Sequence, residues 1–182
     1  MPAARPSEPV TARRILVYGV TGSGKSTAAT RIGERLGLPV TLADELSWLP
    51  GWQSVDEDEQ RRIFADVVAR DSWVLDTAYG TWRDLVVPRA QLVVGLDYPR
   101  WFSLQRLARR TVSRIRTKEP ICNGNVETWR DGFFSKDAIF LWHFRSWRRK
   151  RRTMRAMAAA SDGPPTLLFR RARDLEAWIS RL

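Results

Sequence analysis

Between Gly19 and Thr27 the chain reads GVTGSGKST: three glycines, one lysine and four hydroxyl side chains in nine positions. Gly19, Gly24, Lys25 and Ser26 fit the spacing G-x-x-x-x-G-K-[ST], whose chemistry is the capture of nucleotide phosphates. Gly19, Gly22 and Gly24 let the backbone approach an anion with no Cβ in the way. The amides of Thr21, Gly22, Ser23, Gly24, Lys25, Ser26 and Thr27 are then expected to point inward at the phosphates. Lys25 is expected to reach the β- and γ-phosphates of ATP, and the Ser26 hydroxyl to meet Mg²⁺.

Two further segments end in aspartate, Trp73-Val-Leu-Asp76 and Val94-Gly-Leu-Asp97, and either one can supply the second metal residue. Neither is followed by glutamate, the residue that activates water in motor ATPases, so transfer of the phosphoryl group is expected rather than hydrolysis. Asp76 is expected to hold the metal or the acceptor. Asp97 precedes Tyr-Pro-Arg and reads as a helix-entry residue. Asp44 either orients an acceptor hydroxyl or caps the next helix. Trp48 and Trp52 either wall an acceptor pocket or pack under a loop, and Arg83 is the first arginine after Asp76.

Positive charge is concentrated in one segment. The chain of 182 residues carries a formal charge of +11, and residues 100–155 alone hold 16 Lys/Arg against 4 Asp/Glu. Arg106, Arg110 and Arg114 recur four apart with Arg109 beside them. Arg106 and Arg110 are expected to stabilise the transferring phosphoryl group, and Arg109 to contact the nucleotide. In the run Arg145 to Arg155, the spacing of Phe140, Phe144, Trp147 and Met154 predicts a core face. The alternative is a platform for stacked bases. His143 reads as a packed histidine and the lone Cys122 as an incidental residue of a reducing cytoplasm.

The elements that must position these residues alternate regularly. Apolar runs at Arg14–Gly19, 38–43, 72–76, 91–97 and Thr166–Phe169 predict strands. Helices are expected over Lys25–Leu36, 56–70, from Pro99 onward, 136–157 and 175–182, which together predict a parallel sheet covered on both faces. Residues 117–131 cluster Pro, Gly and Asn between two long helices and read as a loop or lid. Residues 1–12 read as a flexible tail without an apolar leader, and 13–182 as one domain. No run is long and apolar enough for a bilayer.

The motif order resembles a known family. GVTGSGKST, Asp44-Glu-Leu-Ser-Trp48-Leu-Pro-Gly-Trp52, Trp73-Val-Leu-Asp76 and Leu96-Asp-Tyr-Pro-Arg100-Trp101 are similar to P-loop proteins named adenylate kinase-like or DNA topology modulation proteins. The resemblance implies an α/β P-loop NTPase of nucleoside monophosphate kinase-like, three-layer form, with a five-stranded parallel sheet and an arginine-bearing lid. It also implies ATP and Mg²⁺ as cofactors, with Asp76 near the metal and Arg106, Arg109 and Arg110 where the lid begins. The chain departs from adenylate kinases where Thr77-Ala-Tyr-Gly80 follows Asp76. No Lys or Arg lies between Arg35 and Arg61, so a nucleoside monophosphate acceptor would be poorly neutralised there. The expected function is an ATP/Mg-dependent phosphotransferase, a kinase with a small-molecule acceptor. The alternative is an ATP-binding regulator that touches nucleic acid through residues 100–155.

Overall fold

The computed structural model describes residues 10–129 and 139–182. Residues 1–9 of the expected tail, Arg130 and Asp131 of the expected lid, and the start of the helix expected from Lys136 lie outside the described residues.

Five strands form one parallel sheet: β1 (Arg14–Gly19), β2 (Val40–Thr41), β5 (Trp73–Leu75), β6 (Leu92–Leu96) and β7 (Thr166–Phe169). Their order is β2-β5-β1-β6-β7. Leu16 is in register with Leu75 on one side and with Val93 on the other, so β1 occupies the centre. Successive side chains of a strand face opposite layers, and the sequence Ile15-Leu16-Val17-Tyr18 supplies an apolar residue to each. Ile15 and Val17 pack with α1 (Lys25–Leu36) and α7 (Ala172–Ile179) through Ala28, Ile32 and Trp178. Leu16 and Tyr18 face α3 (Glu57–Ala69), α4 (Arg83–Val86) and α6 (Ile139–Ala159) through Phe64, Trp82 and Met154. The result is the expected α/β arrangement with helices on both faces.

Local chemistry sets the boundaries. Asp56 caps α3, its carboxylate accepting from the Asp58 amide at 2.9 Å. Gly37 ends α1 at φ 63°, a conformation that glycine adopts without a Cβ penalty. The segment after β2 holds three elements too short to leave a periodic signal: α2 (Ala43–Ser47) and the antiparallel pair β3 (Trp48–Leu49) and β4 (Gln53–Ser54). They turn at Gly51 and Trp52, both at positive φ.

α5 (Arg100–Thr117) leads into a loop that docks on this hairpin. A bridge between Ile121 and Asn125 folds the loop tip, with Cys122, Asn123 and Gly124 at positive φ. Asn123 Nδ2 donates to the carbonyls of Glu45 and Trp48, and Asn125 Nδ2 donates to that of Leu49 at 2.9 Å. Asn125 Oδ1 accepts from the Trp52 amide at 2.8 Å. Trp52 therefore lies under the loop, its indole donating to the Val126 carbonyl.

Two expectations are corrected here. Asp97 does not serve as a helix-entry residue, because Pro99 holds the cap position of α5. The Asp97 side chain is wholly buried and accepts from Arg151 Nε at 2.6 Å and Arg155 Nη2 at 3.0 Å. The inward row of α6 is also not the expected aromatic one: it is His143, Ser146, Lys150 and Met154. Phe144 is 46% exposed and Trp142 45%. Arg100 lies over the Phe144 ring at 4.3 Å and Arg151 over Trp147 at 4.8 Å, so guanidinium groups cover these rings in place of a core.

Candidate active site

The sheet topology places one edge of β1 against β5 and the other against β6, and the loops leaving their carboxyl ends meet above the sheet. Gly19 ends β1, and a Cβ there would lie 2.8 Å from Ser23 Oγ. Ser23 is buried, its hydroxyl donating back to the Val20 carbonyl at 2.8 Å, which folds Val20 to Ser23 into a tight turn. Gly22 stands at φ 79°, and a Cβ on it would meet the Ser103 carbonyl at 2.5 Å and Leu107 Cβ at 2.7 Å. The loop thus fits against α5 only as glycine. Gly24, at φ 90°, caps α1. Thr21 and Lys25 are half-buried, while Ser26 and Thr27 are exposed at the helix start.

Lys25 Nζ donates to the Val20 carbonyl at 3.2 Å. Desolvation lowers its pKa, against the opposing pull of Asp76 and Asp44. The Ser26 hydroxyl donates to Asp76 Oδ2 at 2.6 Å, and the other oxygen of Asp76 accepts from the Ala43 amide at 2.8 Å. Burial raises the Asp76 pKa, with Lys25, Ser26 and the Ala43 amide acting in the opposite direction. Of the two strand-end aspartates, Asp76 therefore faces the glycine loop, while Asp97 fastens α6.

Asp44 is the second residue of α2, whose cap position belongs to Leu42, so it does not cap that helix. It accepts a hydrogen bond from the Tyr79 hydroxyl. Burial, then Asp44, pushes the Tyr79 pKa well above its ordinary value, which keeps the phenol a donor. Trp48 meets Trp52 edge-on at 6.0 Å.

The α5 arginines divide between two faces. Arg106 leans over the loop, with one guanidinium nitrogen 2.8 Å from where a Gly24 Cβ would stand. Arg110 is half-buried, its pKa lowered first by desolvation and then by Arg114, and its buried Nε has no hydrogen-bond partner. Arg109 is exposed on the face with Val112, Ser113 and Arg116, away from the buried row of Ser103, Leu107 and Thr111. Arg83 opens α4 and makes no side-chain hydrogen bond or ion pair among the described residues.

His143 is packed as the sequence suggests, whereas periodicity and motif spacing overlook Lys150. His143 is fully buried, its Nδ1 3.0 Å from the Thr21 carbonyl of the loop. Lys150 lies two turns further along the same face, with its ammonium 5.9 Å from the ring centres of both Tyr18 and Tyr79. The available signal is that Lys150 is the only lysine between Arg145 and Arg155. Cys122 is half-buried with its thiol pushed up to about 11, chiefly by burial, so it is not a ready nucleophile.

A glycine loop at the start of α1, a half-buried lysine and a hydroxyl–carboxylate pair, Ser26 of α1 with Asp76 beyond β5, are groups suited to holding a polyphosphate. Solved structures share the fold. Shikimate kinase from Acinetobacter baumannii, in complex with shikimate, matches with a TM-score of 0.59 at 16% identity, covering 94% of this chain and 91% of that one. A gluconokinase from Sinorhizobium meliloti matches at 0.53 and 19%, covering 92% and 91%. Deoxyadenosine kinase from M. mycoides matches at 0.50 and 11%, covering 92% and 95%. The chain has the P-loop kinase fold. No protein-family model matches it, and no curated protein matches it in sequence. Among the described residues no helix is long and apolar enough to cross a membrane.

Proposed function

We propose that the protein is an ATP- and Mg²⁺-dependent kinase that moves the γ-phosphoryl group to a small-molecule acceptor. The observation that carries this reading is the Ser26–Asp76 hydrogen bond beside Lys25 at the mouth of the P-loop. Among the described residues no cluster of three or more His, Cys, Asp or Glu side chains could cage a metal. That fits Mg²⁺, which keeps waters and takes one or two protein oxygens together with phosphate oxygens. Ser26 and Asp76 would hold it, and when bound it would neutralise charge on the β- and γ-phosphates.

The amides from Thr21 to Thr27 orient the polyphosphate, and Lys25 and Arg106 oppose the charge that spreads over the transferring group. Asp44, kept in place by Tyr79, orients the acceptor hydroxyl, and Trp48 lies on the same side. Arg110 adds a cation between Asp44 and the docked loop. The hairpin itself contributes no cation, which favours a hydroxylated metabolite over a nucleoside monophosphate. The names of the shikimate kinase and gluconokinase neighbours agree with that preference. Kinship with the adenylate kinase-like and topology modulation proteins rests on the motif order alone. The unpaired Cys122 agrees with a cytoplasmic setting.

The test is to incubate purified protein with Mg·ATP and a panel of polyols, hydroxy acids, nucleosides and nucleoside monophosphates. A phosphorylated product is expected from one hydroxylated class. ATP binding without any product overturns the reading.

A second reading has one observation in its favour. Trp142 and Phe144 stand outside on α6, which also carries the exposed Arg145, Arg148, Arg149 and Arg152, with Arg149 over the Trp142 ring at 5.8 Å, and Trp101 on α5 is 75% exposed. A regulator that stacks single-stranded nucleic acid on this surface would bind with an affinity that falls steeply with salt and when those arginines are neutralised. Salt-independent or absent binding dismisses it.

A further inference from the structure

We propose that Lys150 is a second catalytic lysine, delivered by α6 to the phosphoryl group that Lys25 meets from α1. The inference rests on the kinase reading above and goes beyond the P-loop motif, which contains no residue of α6.

A buried ammonium ordinarily has a carboxylate or several acceptors around it, because an unpaired charge away from water is costly. Lys150 is 7% exposed and makes no hydrogen bond or ion pair among the described residues. The groups that face it are Lys25 from α1, Asp44 from α2, Asp76 beyond β5, Tyr79, the Tyr18 ring on β1, and Arg149 on its own helix. Both carboxylates are otherwise engaged, Asp76 with Ser26 and Ala43 and Asp44 with Tyr79. The Tyr18 and Tyr79 rings offer the ammonium only distant cation–π contacts at 5.9 Å, which do not replace an anionic partner. An arriving anion would supply one.

The helix is fastened on both sides of Lys150. Seven residues before it, His143 meets the Thr21 carbonyl, and just after it Arg151 and Arg155 grip Asp97. Residues 143 and 150 are two turns apart on one face, so the contact that registers α6 against the P-loop also aims Lys150. Desolvation, assisted by Lys25, lowers the Lys150 pKa to about 7. At neutral pH a large fraction of the free protein therefore carries a neutral amine. Binding a phosphate anion favours the ammonium, so the amine takes one proton from solvent and becomes –NH₃⁺.

The experiment is calorimetric titration of full-length protein with Mg²⁺ and a non-hydrolysable ATP analogue at pH 8, in buffers of different ionisation enthalpy. Wild type is expected to take up close to one proton more than K150M, and K150M to bind or turn over roughly 100-fold less well. K150R keeps a permanent charge, so it is expected to restore affinity without the additional proton. Above pH 7 wild-type affinity should fall more steeply with pH than that of K150R, whose remaining slope reports Lys25. Equal proton uptake by wild type, K150M and K150R overturns the assignment, and melting curves of the three report folding separately. Proton-linked binding without transfer to any acceptor would sink the kinase reading and the catalytic role with it, leaving Lys150 as a phosphate-binding lysine. Transfer that K150M and K150R leave unchanged would keep the kinase reading and dismiss Lys150, and a wild type that binds no nucleotide overturns both.

Discussion

His143 on α6 and Thr21 in the P-loop share a hydrogen bond of 3.0 Å across 122 positions of sequence. The Thr21 carbonyl can only accept, so Nδ1 carries a proton. Burial lowers the His143 pKa. The unfolded chain thus binds a proton at higher pH than the folded one, and the stability this residue contributes is lost as pH falls from about 6.5 through the lower folded value. H143Q is expected to keep a donor and flatten that acid dependence, which denaturant titrations between pH 5 and 8 would reveal.

In the proposed Mg²⁺ site Asp76 would have to be ionised to share the cation with Ser26, yet burial raises its pKa. Mg²⁺-enhanced binding of a fluorescent ATP analogue is expected to fade at a pH above the usual carboxylate range. D76N should abolish the enhancement, and S26A should weaken it and lower turnover roughly 100-fold. Enhancement by Mg²⁺ that survives in D76N would remove Asp76 from the site.

Gly22 and Gly37 both have positive φ but differ in surroundings. At Gly37 a Cβ meets nothing within 4 Å, so G37A pays only conformational strain, about 1 kcal/mol. At Gly22 the Cβ strikes the Ser103 carbonyl and Leu107, and the overlap adds to the strain for a loss of roughly 3 kcal/mol. Urea midpoints would separate the two, and G22A alone should also lose nucleotide binding.

Asp97 is wholly buried while its partners reach solvent, Arg151 at 31% and Arg155 at 48% side-chain exposure. Removing either arginine leaves the other on the carboxylate, and R155A should cost under about 1 kcal/mol. D97A frees two cations that can turn to water, so its cost should fall below that of a fully enclosed pair, at about 2 kcal/mol. Because α6 carries Lys150, D97A should also weaken nucleotide binding more than R155A does, a difference readable in the same titrations.

Much of the sheet is legible in the sequence because its strands are short apolar runs bounded by turn residues. Arg14–Gly19 and Thr166–Phe169 have the expected limits, as does α1 with its terminal glycine. The hairpin of Trp48–Leu49 and Gln53–Ser54 is not legible, since two residues per strand leave no alternation to detect. The aromatic spacing in α6 misleads for a different reason. A helix turns its apolar stripe inward only where it lies on an apolar surface, and α6 crosses a polar site before it reaches the core at Met154. The glycine loop can be named from sequence because its residues are contiguous. The roles of Asp97 and Lys150 depend on residues more than fifty positions away, and no local pattern encodes them.

Asn123 and Asn125 stitch the loop after α5 to the hairpin with uncharged amide groups, whereas the proposed phosphate side would rely on Lys25, Arg106 and Lys150. Ionic strength screens the second kind of contact and leaves the first nearly untouched. The two halves of the cleft should therefore answer to different solvents: concentrated salt is expected to loosen the grip on nucleotide while the docked loop and hairpin keep their shape. Urea, which competes for amides, reverses that order.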